Sequence, residues 1–239
     1  MNSETDTSKF ADTSQRTAAI AVGIGLLASI LGAVFVELTT NSLIVADDAA
    51  TTARNIMASE ALYRAGIFGW VVAILGDMLR AWGLYVFFKR VNQSLALLSV
   101  WFMLVHDAIF AASLVNLYFG SVFPSSADLL TVFEAEQLQA LGMLVLNGFE
   151  YGFHMGLFFF SFHLGVVGYL AYKSGFVPKI LGVLMMAAFL SYLIDSFAFL
   201  FLPIYPELLN QFLMLPEIIG EVAIAVWLAF KGGKGATDK

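Results

Sequence analysis

Residues 150–172, EYGFHMGLFFFSFHLGVVGYLAY, form an apolar segment long enough to cross a lipid bilayer, yet they contain a glutamate and two of the protein's three histidines. A transmembrane helix needs about 20 mainly apolar residues to span a hydrocarbon core of roughly 30 Å. Ionisable side chains inside such a helix face a cavity or pack against other helices, because lipid solvates them poorly. The segment therefore predicts a transmembrane helix in a bundle with a polar interior.

The composition agrees with an integral membrane protein. Hydrophobic residues make up 60% of the chain, charged residues only 13%, and the mean hydropathy is +0.84, which is outside the usual range of soluble domains. The net charge of −6 and the lack of a large basic cluster exclude a nucleic-acid partner. Because the chain has no cysteine, disulfides, thiolate metal sites and cysteine nucleophiles are also excluded.

The order of apolar and polar segments predicts an all-α fold, a six-transmembrane helical bundle between polar tails at 1–16 and 231–239. The first span carries small residues every four positions, a pattern that lets a neighbouring helix approach closely; these are Ala21, Gly25, Ser29 and Ala33. The predicted spans are 17–36, 63–88, 94–118, 150–172, 180–202 and 208–230.

Two short helices are expected outside the membrane, on the outer side, at 48–60 and 127–146. Asp47 and Asp48 are good N-caps for the first of them. The second contains several polar residues, which favour a surface helix over a seventh span, and Asn147-Gly148 predicts a kink after it.

The distribution of basic residues predicts the orientation. In a six-span arrangement nearly all lysines and arginines outside the spans fall on the side of the two termini, and only Arg54 and Arg64 fall on the other. The positive-inside rule then places both termini in the cytoplasm and the chain in the cell (inner, cytoplasmic) membrane. A seventh span at 129–146 would instead place these basic residues on both sides of the membrane.

The spans contain more acidic than basic residues. Six carboxylates face one arginine, Arg80, so the carboxylates need added protons, histidinium partners or a bound cation. Counted at about 1.5 Å per residue, one subset lies near the middle of the membrane and another in the outer half. The carboxylates are Asp77, Asp107, Glu150, Asp195, Glu217 and Glu221.

Helical spacing predicts one site in the outer half. Glu150 and His154 lie four residues apart on one helix face, as do Glu217 and Glu221. Together with Asp195 they form a predicted metal or proton site, because imidazole and carboxylate ligands suit zinc or a similar divalent ion. A hydrogen-bond network between helices is the alternative interpretation of Glu150 and His154.

A second group predicts a structural polar network. An ion pair between Asp77 and Arg80, with Asp107 as a further partner, is expected to hold the second and third spans together. His106 and His163 complete this network. They are the only two histidines at a similar depth on different helices, as haem ligation requires, and haem is disfavoured as a cofactor.

Several short sequence fragments are spread over residues 16–232. They are Ser42-Leu43-Ile44-Val45, Asp48-Ala49-Ala50, Asn55-Ile56, Ser59-Glu60, Arg64, Val91-Asn92, Tyr151-Gly152-Phe153, Tyr172-Lys173-Ser174-Gly175-Phe176, Pro178, Leu181-Gly182, Tyr192-Leu193-Ile194-Asp195-Ser196-Phe197, Pro216, Gly220-Glu221 and Trp227. Together these fragments resemble a family of bacterial multi-pass membrane proteins, the domain-of-unknown-function family 4386. The resemblance supports the multi-span topology and implies no activity.

Three functions agree with these patterns. The favoured one is a binding or transport protein in the lipid bilayer, with an outward-facing acidic and histidine-bearing cavity for a proton, a metal ion or a small cation. A metal-dependent intramembrane hydrolase with His106, His154 and His163 as ligands is an alternative, disfavoured because no two histidines lie one helical turn apart. The third is a structural or partner-binding subunit, for which replacing Glu217 and Glu221 by glutamine would leave function intact.

Overall fold

A computed structural model describes residues 13–125, 132–202, 204 and 207–233, and within this part of the chain all regular structure is helical. In these ranges six helices are long and apolar enough to cross a membrane. The prediction of an all-α six-span bundle is confirmed, and the chain is a multi-pass membrane protein. The outer parts of both predicted tails, 1–12 and 234–239, lie outside the described residues.

The described residues form seven α-helices and one 3₁₀ turn. The long helices are α1 (Gln15–Leu38), α3 (Glu60–Phe88), α4 (Gln93–Ser125), α5 (Ala135–Lys173), α6 (Lys179–Phe201) and α7 (Glu207–Lys231), and the short elements are the 3₁₀ turn Asn41–Leu43 and α2 (Ala49–Ala58). The bundle thus has a terminal end, where α1 begins and α7 ends, and an α2 end on the opposite side.

The prediction of a separate surface helix at 127–146 is wrong for the residues that the structure describes. Residues 135–146 are the first part of α5, a single helix of 39 residues and therefore roughly 58 Å long. Residues 127–131 lie outside the described part. Gly148 does not end the helix, because one glycine costs a helix only about 1 kcal/mol and α5 packs along α4 beyond this point.

The six long helices form a closed ring in the order α1, α3, α4, α5, α6, α7, and the seam between α7 and α1 is the sparsest contact in it. Glycines on α1 and α3 allow these two helices to touch. A Cβ atom on Gly25 would collide with the carbonyl oxygen of Gly76, and one on Gly32 with that of Gly69. The small-residue stripe of the first span is therefore a helix-packing surface, as its spacing predicts.

Local polar contacts fix the short connections. Asp48 is the N-cap of α2, and its carboxylate accepts hydrogen bonds from the N–H and the hydroxyl of Thr51 at 2.8 and 2.7 Å. These bonds favour the ionised form and lower the pKa of Asp48. Between α5 and α6, Gly175 has a φ of +75°, a conformation that glycine adopts without strain.

A hydrophobic core closes the bundle at its terminal end. It includes Val22 of α1, Phe87 and Phe88 of α3, and Leu228 of α7, all at most 1% exposed. The side chain of Arg16 also donates to the carbonyl of Gly232 at 3.1 Å, which holds the start of α1 against the end of α7. The polar residues described next lie above this core, toward the α2 end.

Candidate functional site

Arg80 is the centre of a buried polar network in the middle of the bundle. Its Nη2 lies 2.9 Å from Oδ1 of Asp77, and its Nη1 lies 2.5 Å from Oε2 of Glu221. The hydroxyl of Tyr192 donates to the other oxygen of Glu221 at 2.9 Å, and the hydroxyl of Ser29 lies 2.9 Å from Oδ1 of Asp77. One guanidinium thus serves two carboxylates, each of which has a second donor.

The network connects α3 to α7 rather than α3 to α4. Asp77 and Arg80 lie three residues apart on α3, and the partner on another helix is Glu221. The predicted ion pair of Asp77 with Arg80 lies within α3, and the prediction that it holds the second and third spans together, with Asp107 as a further partner, stays a prediction. The guanidinium also lies over the ring of Phe160, 5.2 Å from its centre, a cation–π contact that adds α5 to the network.

Asp77 also belongs to a second cluster with His106 and Asp107 of α4. Each of these three residues offers one ligand atom, and the three atoms lie within 4.8 Å of one another. Asp107 is 1% exposed, and neither of its carboxylate oxygens has a hydrogen-bond donor among the described residues. The closest imidazole nitrogen, Nε2 of His106, is 4.0 Å from Oδ1 of Asp107.

A cavity of about 440 Å³ lies above the Arg80 network, inside the ring of helices. Its walls are mainly apolar and come from all six long helices. At the seam between α1 and α7 its lining includes Ile30, Ile218 and Val222, which are also exposed on the outside of the bundle. The polar residues that line it are Ser29, Asp77, Arg80, His106, Tyr192 and Glu221.

Three aromatic rings from three helices form the wall toward the α2 end. The ring centre of Phe110 lies 5.0 Å from that of Trp70 and 5.2 Å from that of Phe153, and the rings of Trp70 and Phe153 are 5.9 Å apart. All three line the cavity. The cavity therefore has a charged floor and an aromatic wall.

The floor separates this cavity from the terminal end. A second cavity of only about 20 Å³ lies on the other side of Arg80 and Glu221, with Val22, Leu84 and His163 among its lining residues. That volume is enough for about one water molecule. Beyond it the hydrophobic core described above is closed.

The structure divides the five residues of the predicted metal site. Glu221 belongs to the Arg80 network and is the one member that lines the large cavity. His154 lies near Asp195, with Nε2 3.7 Å from Oδ2, whereas Glu150 is exposed on α5 and contributes its backbone carbonyl to Nδ1 of His154 at 2.9 Å. Glu217 is buried, with no donor to Oε1 among the described residues.

No three of the five predicted metal ligands lie close together among the described residues. Among the described residues, the group of three or more potential ligands within 4.8 Å is Asp77, His106 and Asp107, which the sequence assigns to the structural network. Metal binding by Glu150, His154, Asp195, Glu217 and Glu221 stays a prediction.

The three histidines lie in three different environments. His106 belongs to the cluster with Asp107, His154 stacks on Phe199 at 3.7 Å, and Nδ1 of His163 donates to the carbonyl of Ser99 at 2.8 Å. The rings of His106 and His163 both contact Phe160, at 5.1 and 5.9 Å. The hydrolase hypothesis requires the three histidines to meet at one metal ion. Within the described residues they do not form such a group.

Sequence reasoning misses the aromatic wall and the role of Tyr192. Helical spacing contains a signal for the wall, since Trp70 precedes Asp77 by seven residues and Phe110 follows His106 by four, and both spacings place residues on one helix face. Tyr192 has no such signal, because its contact with Glu221 depends on the packing of α6 against α7.

Comparison with known proteins places the chain in a family. An uncharacterised protein of Archaeoglobus fulgidus is 30% identical over 168 residues, which cover 70% of this chain and 84% of that protein. No solved structure matches. The model of the family described as a domain of unknown function (DUF4386) matches residues 21–232. Because that match covers most of the chain, the protein belongs to the DUF4386 family.

Proposed function

We propose that this protein binds or transports a small lipophilic cation, of the substituted ammonium class, in the large cavity. The observation that carries the proposal is the combination of an aromatic wall with a floor that contains two carboxylates and one arginine. The volume of about 440 Å³ lies in the range of small-molecule sites, which are mostly apolar with a few placed polar groups.

The aromatic wall supports a cationic ligand. Trp70, Phe110 and Phe153 present three rings at mutual distances of 5.0 to 5.9 Å, and clusters of this kind recognise alkylated ammonium groups through cation–π attraction. The apolar rim at the seam between α1 and α7 supports a ligand that enters from lipid. A charged ligand head would reach Glu221, in competition with Arg80.

The positions of the basic residues support the orientation. Arg16, Lys89, Lys173, Lys179 and Lys231 lie at helix ends on the terminal side, and Arg54 and Arg64 lie on α2 and the first turn of α3. By the positive-inside rule the terminal end faces the cytoplasm. The cavity then extends from mid-membrane toward the outside, in the cytoplasmic membrane that we propose as the location.

A pair of isosteric probes tests the proposal. Phenyltrimethylammonium and tert-butylbenzene have the same shape and differ in charge. Binding of each to the purified protein in lipid nanodiscs, measured by saturation-transfer NMR, is expected to be roughly tenfold stronger for the cation, as a cation–π contact of about 0.5–2 kcal/mol implies. Equal binding of the two probes, or binding of neither, would contradict the proposal.

Matched tryptophan variants locate the binding. Trp70→Leu is expected to reduce binding of phenyltrimethylammonium about tenfold, whereas Trp101→Leu, on the exposed face of α4, is expected to leave it unchanged. Uptake of the same cation into proteoliposomes then distinguishes a transporter from a protein that only binds.

A further inference from the structure

We propose that Asp77, His106 and Asp107 bind one divalent transition-metal ion, for which Zn²⁺ is the test ion. The proposal does not depend on ammonium binding, since it concerns a cluster between α3 and α4 and a different chemical class of ligand.

The geometry of the cluster fits such an ion. Its two carboxylate oxygens and one imidazole nitrogen lie within 4.8 Å of one another. Ligand atoms of a tetrahedral zinc ion, each about 2.0–2.1 Å from the metal, are roughly 3.4 Å apart, so small rotations of the side chains bring the three atoms into place. Imidazole with carboxylates is a ligand set that accepts zinc and similar ions.

The environment of Asp107 is a second, independent observation that supports a bound metal ion. It is 1% exposed and has two buried oxygens without a hydrogen-bond donor among the described residues. Asp77 cannot supply a donor, and its Oδ1 is already occupied by Arg80 and Ser29. A buried carboxylate without a partner is unfavourable, and a metal ion between Asp107, His106 and Asp77 provides the missing partner.

The charges of the connected groups support an ion with two positive charges. Asp77, Asp107 and Glu221 contribute three carboxylates to these connected groups, and Arg80, which pairs with Asp77 and Glu221, contributes one guanidinium. When all are ionised the group carries a net charge of −2, and His106 ligates in its neutral form. One divalent ion balances this charge inside a low-dielectric bundle.

The large cavity provides access to the cluster. Asp77 and His106 both line it, so an ion can enter from there and keep one coordination position open toward the cavity. Gly156 of α5 leaves room for the imidazole, because a Cβ atom at this position would lie 3.0 Å from Nδ1 of His106. Since metal and ammonium draw on the same excess negative charge, bound Zn²⁺ is expected to weaken ammonium binding.

The test measures bound metal directly. Protein in lipid nanodiscs is treated with chelator, reloaded with Zn²⁺ at a buffered free concentration, desalted and analysed by mass spectrometry for zinc per chain. Asp107→Asn and His106→Gln are compared with Asp195→Asn and His154→Gln, which alter the other buried histidine–aspartate pair. Substitution with Co²⁺ adds an absorption spectrum that reports the ligands.

The expected result is one zinc per chain in the wild type and in the His154 and Asp195 variants, with occupancy at least tenfold lower in the Asp107 and His106 variants. Absence of zinc from the wild type overturns the proposal. Wild-type occupancy in either folded cluster variant overturns it too, and so does loss of zinc in His154→Gln with retention in His106→Gln. Because Asp107→Asn and His106→Gln change different residues, the zinc content of one variant still tests the proposal if the other variant does not fold.

Discussion

Removal of the Arg80 guanidinium would leave two buried carboxylates without their shared cation. The side chains of Arg80, Asp77 and Glu221 are only 8%, 10% and 13% exposed, so neither carboxylate would be fully hydrated after the loss of its partner. Arg80→Met keeps an unbranched apolar stem like the first part of the arginine side chain and removes the charged guanidinium. The variant therefore isolates the electrostatic contribution of the network to stability.

The expected loss of unfolding free energy depends on which interactions of Arg80 are also present when the helices are separated. Breaking a buried ion pair by removing one partner costs about 3–5 kcal/mol. Asp77 and Arg80 lie three residues apart on α3 and can pair in a separated helix as well, so the interaction gained on assembly is mainly the one between Arg80 and Glu221. We therefore expect Arg80→Met to lower the free energy of unfolding by about 3 kcal/mol, the lower end of that range.

Glu221→Gln is the informative comparison. It removes one charge-assisted hydrogen bond, a loss of about 1.5–3 kcal/mol, but leaves Asp77 to neutralise Arg80 and keeps an acceptor for Tyr192. We expect a loss of about 1.5 kcal/mol, half that of Arg80→Met. The triple variant Arg80→Met with Asp77→Asn and Glu221→Gln should regain part of the stability, because no buried charge is then left unpaired.

The assay is reversible unfolding in bicelles by steric trapping, with helix content measured by circular dichroism. Arg64→Met is the control, since the pair of Arg64 with Glu60 is 54% and 51% exposed and such surface pairs contribute at most about 1 kcal/mol. An Arg80→Met variant no less stable than Glu221→Gln, or a triple variant less stable than Arg80→Met, would show that Arg80 does not stabilise the bundle by pairing with these carboxylates.

Three further predictions concern other parts of the bundle. Gly76→Val should lower the unfolding free energy by about 1–3 kcal/mol, because its Cβ would collide with the carbonyl of Gly25, whereas Gly148→Ala, whose nearest neighbours are 3.6 Å away, should not destabilise the protein. Glu217→Gln should change the same quantity by less than about 1 kcal/mol, since one oxygen of the carboxylate has no donor among the described residues to lose. Asp48→Ala should speed amide hydrogen exchange in the first turn of α2, and unchanged exchange in this variant would contradict the role of the cap. In the wild type the cap should weaken as the pH falls through the lowered pKa of Asp48, because the ionised form makes the hydrogen bonds.

The spans could be predicted because bilayer thickness sets a length that apolar segments reveal directly. The first part of α5 could not be recognised as a continuation of the span. Residues 135–149 include polar positions such as Glu136 and Gln137, which suit a helix end that extends beyond the hydrocarbon layer and packs on α4. Hydropathy reports contact with lipid, and it does not report whether a helix continues past the membrane surface.

The depths of the polar residues were also within reach of sequence, whereas their partners were not. Counting along the helices places Arg80 about 12 Å and Glu221 about 15 Å from the terminal ends of α3 and α7, which agrees with their contact. Depth alone does not state which helices are neighbours. The ring places α1 between α3 and α7, so the contact of Glu221 with Arg80 crosses the interior of the bundle and depends on packing that depth alone does not reveal.

The excess of acid over base therefore has several local solutions. Arg80 compensates Asp77 and Glu221 together, and His154 faces Asp195, whereas Asp107 has a neighbouring imidazole and no donor among the described residues. Since a carboxylate at this depth is costly unless paired, the negative charge of Asp107 still needs a cation or a proton to compensate it. That position, beside a cavity with an aromatic wall, makes the α3–α4 cluster the point at which a bound ion would change what the cavity accepts.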